Sequence, residues 1–235
     1  MAETLLTPAD LSAIETAVRE AETRTTGEIY CVVSEESADY RETPLAWAAG
    51  VALLGPALLL LGGIHVEAPD LLGGWSAAQV ADVAERAARE ALIGAVMLQG
   101  LLFVATLALV SIPAVRRALT PRGMKRDRVR RRAQEQFAAK NLHATRERTG
   151  VLIYVSFAEH MAELIADDGI AEHVEPGVWD RAMAALVDGL RRREPGAGFA
   201  AAIGLCADVL AARFPARPGD NPNELPDAVV VLPRP

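Results

Sequence analysis

The sequence predicts an α/β domain that is interrupted by an inserted two-helix transmembrane hairpin. Two similar phrases, TRTTGEIYCVVS at 23–34 and TRERTGVLIYVS at 145–156, each indicate the end of a helix, a Thr-Gly break and a strand. Two long stretches without a charged residue and a cluster of basic residues lie between the phrases. Because a lone strand leaves its backbone groups unpaired, the two strands are expected to lie in one sheet.

The composition indicates that apolar residues are concentrated in part of the chain. The 235 residues are 51% hydrophobic, 5% aromatic and 23% charged, and the mean hydropathy is +0.18. The net charge of −7 argues against a general nucleic-acid-binding protein, which is usually basic. Cys31 and Cys206 lie in apolar stretches, which favours buried thiols over a disulfide framework or a zinc site.

The first 34 residues predict one helix and one strand. Residues 1–20 carry acidic residues and no apolar core, so they do not resemble a signal peptide. Instead the apolar spacing predicts an amphipathic helix over 8–24, with Thr7 as its N-cap and Asp10 completing a capping box. The β-branched and aromatic residues at 28–34 predict a strand.

Two uncharged stretches, 44–64 and 91–115, predict transmembrane helices. At about 1.5 Å per residue, each is long enough to cross a hydrocarbon layer of roughly 30 Å, and a buried soluble helix rarely lacks charge over such a length. Trp47 lies near one boundary, as an aromatic anchor does, and Pro56 is expected to kink the first span. The connection between the spans predicts an amphipathic helix that begins near Ser76 and runs into the second span.

Basic residues after the second span predict the orientation. The connection at 65–90 has only Arg86 and Arg89 against five acids, so the positive-inside rule places both termini in the cytoplasm, at an inner membrane. A nucleic-acid patch is the alternative, but a position beside a span favours topology and contact with anionic lipids. The membrane-flanking basic residues begin with Arg116, Arg117, Arg122, Lys125 and Arg126, followed by Arg128, Arg130, Arg131 and Arg132.

The remainder of the chain predicts alternating helices and strands. A helix over 127–148 is expected to end at Thr149-Gly150, with the glycine in a left-handed cap. An apolar strand at 151–157 is expected to be covered on both faces. The remaining predicted elements are a strand at 161–170 that closes on Asp167-Asp168-Gly169, helices at 179–192 and 198–213, and a strand at 228–232.

Four segments carry a resemblance to a known family: TGEIYCVVS, TGVLIYVSFAEHMAELIADDGIAEHVEPGVWDRAMAALVDGLRR, GFAAAIGLCADVLAARFP and DNPNELPDAVVVL. The chain resembles the TPM-domain family, in the membrane-protein branch whose domain is interrupted by a transmembrane hairpin. The resemblance implies an α/β sandwich, with a small mixed sheet covered by helices. It also implies cytoplasmic domain parts at 1–43 and 116–235 around a hairpin at 44–115.

The resemblance leaves the activity open. Some relatives look like phosphatases or bind divalent metal, and many have no assigned activity. Relatives often carry an acidic residue near the start of the last long helix, whereas this chain has none between Glu194 and Asp208. A metal or catalytic role carried over through that position is therefore in doubt.

Acidic residues at the ends of the predicted strands are the candidate metal ligands. Ligands bind α/β sheets at the carboxyl ends of parallel strands, and calcium and magnesium prefer oxygen ligands. The candidates are Glu35, Glu159, Asp167 and Asp168. The favoured alternative is that Asp-Gly is turn chemistry and that the glutamates are solvated.

Two further patterns are weaker. The loop containing Asp220, Asn221, Asn223, Glu224 and Asp227 has the spacing of a loose calcium site but lacks the glycine and terminal glutamate of an EF-hand. Ser156 and His160 are not expected to form a nucleophile pair, because they lie four residues apart across a strand end.

The sequence therefore predicts a membrane-anchored cytoplasmic module of unassigned activity, acting as an interaction or accessory domain for an unknown protein partner. It carries no phosphate-binding, dinucleotide or zinc motif. A divalent-metal-dependent, phosphatase-like hydrolase at the membrane surface, using calcium or magnesium, is the alternative. Homo-oligomerisation stays open, and a nucleic-acid partner is not expected.

Overall fold

The computed structural model describes residues 6–62, 77–140, 142, 145, 148–171, 173–174, 176–217 and 225–234. The chain divides into two compact units. The sheet unit consists of Met1–Asp39 and Pro121–Pro235, and the hairpin unit is Tyr40–Thr120. The sheet unit thus combines the N-terminal segment with the C-terminal half, and the hairpin unit lies between these two parts in the sequence.

The sheet unit contains four strands and five helices among its described residues. Its elements are α1 (Pro8–Glu22), β1 (Glu28–Ser34), α5 (Arg122–Ala139), β2 (Gly150–Ser156), β3 (Met161–Ala166), α6 (Asp168–Ala171), a 3-10 turn (Pro176–Trp179), α7 (Asp180–Arg191), α8 (Pro195–Arg213) and β4 (Val230–Leu232). The hairpin unit contains α2 (Glu42–Leu61), α3 (Ala77–Ser111) and α4 (Pro113–Leu119).

The four strands form one mixed sheet in the order β3-β2-β1-β4. β1 and β2 run parallel and pair along their whole length, from Glu28 with Gly150 to Ser34 with Ser156. β4 is parallel to β1, and β3 returns antiparallel to β2. The predicted pairing of the two similar phrases is confirmed, and the architecture is mixed α/β.

β1 and β2 are buried over their full length because helices cover both faces of the sheet. Alternate side chains point to opposite faces of a strand. One face packs against α1, α7 and α8, and its strand residues are Ile29, Cys31, Val33, Val151, Ile153 and Val155. The other face packs against α5 and contributes Tyr30, Val32, Leu152 and Tyr154.

α1 begins as the sequence predicts. The Thr7 hydroxyl accepts a hydrogen bond from the Asp10 backbone N–H, and the Asp10 carboxylate accepts one from the Thr7 N–H at 2.9 Å. This capping box satisfies backbone donors that the first helical turn leaves unpaired. The helix then buries Ile14, Val18 and Ala21 against the sheet-unit core.

The predicted role of the Thr-Gly break is wrong at Gly150. This glycine is the first residue of β2, and the left-handed residue nearby is Arg148, with φ of 55°. A Cβ at Gly150 would lie 2.7 Å from the Leu142 carbonyl oxygen, and one at Gly27 would lie 3.0 Å from a Leu210 methyl carbon. Close packing at the start of a strand therefore requires Gly150, whereas a larger residue at 27 would need the Leu210 side chain to shift.

The second apolar helix differs from its predicted bounds. α3 is continuous from Ala77 to Ser111, so the predicted connecting helix and the second span form one element; Ser76 lies outside the described residues. The helix ends before 115 because Pro113 has no N–H to donate and forces Ile112 into an extended conformation. Pro113 then starts α4, where a proline is well accommodated.

Candidate functional site

The hairpin unit carries the exposed apolar surface. In the described part of the chain, every large hydrophobic side chain that is exposed lies between Leu45 and Ile112, and Leu61 is 85% exposed. Soluble proteins rarely leave such a large contiguous apolar surface in water. The set is Leu45, Trp47, Leu53, Leu54, Leu58, Leu61, Leu92, Ile93, Val96, Met97, Leu101, Val104, Leu109 and Ile112.

Hydrogen bonds link the first turns of α2 to the end of α4. The Thr43 and Thr120 hydroxyl oxygens lie 3.1 Å apart, and Trp47 Nε1 donates to the Leu119 carbonyl at 3.3 Å. Pro56 lies inside α2 without ending it. The tryptophan predicted as an interfacial anchor is thus half exposed and tied to the end of α4.

Three described helices are long and apolar enough to cross a membrane, one more than the sequence predicted. The windows in α2 and α3 are 22% and 6% buried, whereas the window in α8 is 44% buried. α8 differs because it fills the core of the sheet unit. Its buried residues are Gly196, Gly198, Phe199, Ala202, Ile203, Cys206, Ala207 and Leu210.

The predicted membrane-flanking basic residues divide between the two units. Arg116 and Arg117 lie in α4 of the hairpin unit and are half buried. Arg122, Lys125 and Arg126 lie in the first turns of α5, in the sheet unit. α5 packs against the sheet, so these three basic residues lie at the beginning of a helix whose position is fixed by the core.

Two of the four candidate metal ligands, Glu35 and Glu159, lie at the carboxyl ends of β1 and β2. The Ala158 N–H donates to the Glu35 carbonyl at 2.9 Å, which joins the two strand ends. The Glu35 side chain forms an ion pair with Arg234. The Glu159 side chain accepts hydrogen bonds from Ser37 and Ser156 instead.

Glu159 belongs to a buried hydrogen-bond network. Its residue is 7% exposed, and its carboxylate accepts the Ser37 N–H at 3.2 Å and the Ser156 hydroxyl. The Ser37 hydroxyl donates to Ser156 Oγ at 2.8 Å and lies 2.9 Å from the Tyr154 hydroxyl. Burial raises the pKa of Tyr154, which keeps the phenol neutral. The donors give this carboxylate an internal structural role.

Ser156 and His160 do not form a nucleophile pair. The Ser156 hydroxyl donates to Glu159, and Ser156 is fully buried. His160 is exposed and has a left-handed backbone with φ of 53°.

The other two candidate ligands, Asp167 and Asp168, lie at the opposite end of β2. The Asp167 N–H donates to the Gly150 carbonyl at 2.9 Å, because β3 runs antiparallel to β2. Arg148 Nη2 lies 3.4 Å from Asp167 Oδ1 and 2.8 Å from Asp168 Oδ2. Seven strand residues separate this pair from Glu159, which is about 20 Å at 3.3 Å per residue.

The four candidates therefore do not converge on one site. Among the described residues, no group of three His, Cys, Asp or Glu side chains could hold a metal ion. Asp167 Oδ2 is buried without a hydrogen-bond partner in that part of the chain, but Asp167 Oδ1 accepts the Asp168 N–H at 2.6 Å and lies 3.4 Å from Arg148 Nη2.

Sequence reasoning missed a cluster of carboxyl groups at the other end of β1. Glu22, at the end of α1, shares a hydrogen bond with Asp227 and faces Glu28. Burial, and then the charges of Glu28 and Asp227, raise the pKa of Glu22 to about 8. Arg19 Nε donates to Asp227 Oδ2 at 3.3 Å. Only the fold brings these residues together, since Glu22 and Asp227 stand near opposite ends of the chain.

The remaining part of the loose calcium loop, Asp220, Asn221, Asn223 and Glu224, lies outside the described residues. A small surface cavity of about 200 Å³ lies between the 3-10 turn, α7 and α8. It is lined by Val178, Arg181, Leu205, Asp208 and Val209, and Asp208 is paired with Arg24. Ligand pockets are usually larger, at roughly 300 to 1,000 Å³.

The fold is similar to that of one solved bacterial protein. The NMR structure of the BA42 protein from the psychrophilic bacterium Bizionia argentinensis matches with a TM-score of 0.54 and 18% sequence identity. The match covers 97% of this chain and 95% of that chain. At this identity the likeness concerns the fold alone. No family model and no curated protein matches the chain.

Proposed function

We propose that the protein is a membrane-anchored module of the TPM-like type, which spans the bilayer twice through α2 and α3. Its sheet unit stands in the cytoplasm and acts by contact with a protein partner. The observation that carries the proposal is that, within the described ranges, exposed large hydrophobic side chains are confined to residues 45–112. Contact of such an apolar surface with lipid chains costs no free energy, whereas its exposure to water is unfavourable.

The burial of α8 supports two spans over three. Its face that includes Phe199, Ile203 and Leu210 is fully buried in the core against β1 and β2. Moving α8 into a bilayer would expose to water the β1 and β2 side chains that it covers, at roughly 1.5–3 kcal/mol for each large side chain. α3 has no comparable cost, because only 6% of its window is buried inside the protein.

The charge distribution supports a cytoplasmic sheet unit. Residues 116–132 carry nine basic side chains and one acid directly after α3, whereas the connection at 65–90 carries two basic side chains and five acids. Positive charge near the end of a span is retained in the cytoplasm. With two spans, the N-terminus lies on the same side.

Reporter fusions test both the span number and the orientation. A reporter that is active only in the cytoplasm is fused before Met1 in one version and after Pro235 in another. We expect activity in both, and resistance of the protein to carbonate extraction. With three spans only one terminus would be cytoplasmic, and inactive reporters at both ends would refute the orientation. A fusion within the connection at 65–76 is the matched control and should be inactive.

The alternative is the metal-dependent, phosphatase-like hydrolase. It is the weaker proposal because the Glu159 carboxylate already accepts internal donors and lies about 20 Å from Asp167 and Asp168. Calorimetric titration of the detergent-purified protein with Ca²⁺ and Mg²⁺, together with a phosphomonoester turnover assay, distinguishes the two. We expect neither binding nor turnover. Metal binding that Asp167→Ala or Asp168→Ala abolishes would overturn the interaction-module proposal.

A further inference from the structure

Three arginines form a regular row on α5, called the arginine row below: Arg122, Arg126 and Arg130. They recur every fourth residue, about 6 Å apart along the helix axis, and all three are exposed. Among the described residues none of the three pairs with a carboxylate. Other exposed arginines of the sheet unit, such as Arg24 and Arg192, do form such pairs.

The arginine row has a fixed place on the sheet unit. The same helix buries Val129 and Ala133 completely against the sheet, beside Tyr30 and Leu152. The row is therefore presented by a packed helix and needs no folding step to form. A preformed row loses less conformational entropy on binding a ligand than a disordered basic tail does.

Charge is strongly asymmetric along the chain. Residues 116–132 carry a net charge of +8, so the rest of the chain carries −15 to reach the total of −7. A uniformly basic surface would suit nucleic acid, but a polyanion as long as RNA would meet repulsion outside this segment. A headgroup carries its negative charge on one small phosphate, which suits a short row of cations.

We propose that the arginine row binds the phosphates of anionic phospholipid headgroups. The inference rests on the proposed membrane anchoring. Guanidinium groups match phosphate oxygens with two parallel N–H donors. The eleven residues from Ser111 to Arg122 span at most about 40 Å even when extended, so the covalent tether keeps the row at high effective concentration near a headgroup layer.

The test follows a fluorophore on α5 of the full chain in lipid nanodiscs. Gln134 is exposed one turn after Arg130, and Gln134→Cys accepts a thiol-reactive dye because Cys31 and Cys206 are buried. Trace phosphatidylcholine with a spin-labelled headgroup quenches the dye when α5 approaches the lipid surface. Discs of phosphatidylcholine receive phosphatidylglycerol at increasing mole fraction.

We expect quenching to rise with phosphatidylglycerol and to disappear in high salt. The apparent affinity for phosphatidylglycerol, read from the quenching curve, should fall about fivefold for each arginine removed and on the order of a hundredfold for all three. The variant is Arg122→Gln/Arg126→Gln/Arg130→Gln. The matched control removes three other exposed charges of the sheet unit and should respond like the wild type. It is Arg181→Gln/Arg191→Gln/Arg213→Gln. Protection of both native thiols from labelling verifies that each variant is folded.

Quenching that ignores phosphatidylglycerol, or that falls equally in both triple variants, overturns the inference. So does displacement of the dye from anionic discs by a single-stranded RNA oligonucleotide at physiological salt, which would assign the row to nucleic acid. Carbonate extraction separates this result from the parent proposal. Extraction of the wild type refutes the anchoring, whereas an inserted protein that does not respond to phosphatidylglycerol refutes the headgroup site alone.

Discussion

The raised pKa of Glu22 makes the stability of the sheet unit depend on pH. Its carboxyl group shares a hydrogen bond with Asp227 and faces Glu28, and its pKa rises from 4.5 to about 8 on folding. Between pH 4.5 and about pH 8, the folded state therefore keeps a proton on Glu22 that the unfolded state has released. Stability from this group is complete below the unfolded pKa and is lost as pH rises through the folded one.

The size of the effect follows from the shift. One pKa unit corresponds to about 1.4 kcal/mol, so a rise from 4.5 to about 8 sets an upper bound on the order of 5 kcal/mol. Because Glu22 is only half buried, solvent screening reduces that bound, and we expect a loss of about 1–2 kcal/mol between about pH 5 and pH 8. Glu22→Gln removes the titrating group and should remove most of this loss.

The two cysteines provide an assay that is specific to the sheet unit. Cys31 and Cys206 are its only thiols, and both are buried in the core that packs against α1 and α8. Pulse labelling of the detergent-solubilised chain in urea measures the unfolded fraction at each pH. Glu20→Gln, which removes an exposed carboxylate from the same helix, is the control and should keep the wild-type pH slope. Parallel curves for the wild type and Glu22→Gln would refute the reasoning.

Three further substitutions test packing, the buried network and the helix cap, with the same thiol-labelling assay. Gly189→Ala should lower the free energy of unfolding by about 1–3 kcal/mol, because the new Cβ would lie 2.3 Å from the Gly198 Cα. The control Gly204→Ala, whose Cβ would meet nothing within 4 Å, should not lower it. Equal effects of the two substitutions would contradict this packing. Glu159→Gln should cost about 1–3 kcal/mol, because one of the two oxygens that face the Ser37 N–H becomes an NH₂ donor and the hydrogen bonds lose their charged acceptor. Unchanged stability would contradict a structural role for this carboxylate. Thr7→Ala should cost about 1 kcal/mol through loss of the cap, and the absence of any change would show that α1 does not depend on it.

Local signals predicted most of the elements and the central strand pairing. The predicted strand at 28–34 agrees with β1, and the capping residues of α1 have the predicted partners. These features depend on side-chain periodicity and on short-range hydrogen bonds, which a sequence displays directly. The two similar phrases pair as neighbours because both are apolar strands that need cover on two faces.

Features that depend on strand direction or on contacts between distant segments could not be predicted from the sequence. The antiparallel return of β3 carries Asp167 to the start of β2, away from Glu159, and no local pattern distinguishes a parallel from an antiparallel neighbour. The carboxyl cluster of Glu22, Glu28 and Asp227 depends on contacts between distant segments. α8 has the composition of a span, and only its packing separates a core helix from a lipid-facing one.

The pairing of β1 with β2 imposes an order of events on biosynthesis. Glu28 and Gly150 are partners, so β1 leaves the ribosome 122 residues before the strand that covers one of its edges. At about 5–20 residues per second, that interval lasts on the order of 6 to 25 s. β4, on the other edge, is made later still. The segment EIYCVVS therefore spends the whole synthesis of the apolar hairpin as an uncovered strand, and a nascent chain of this kind depends on a holding chaperone or on rapid elongation to escape aggregation.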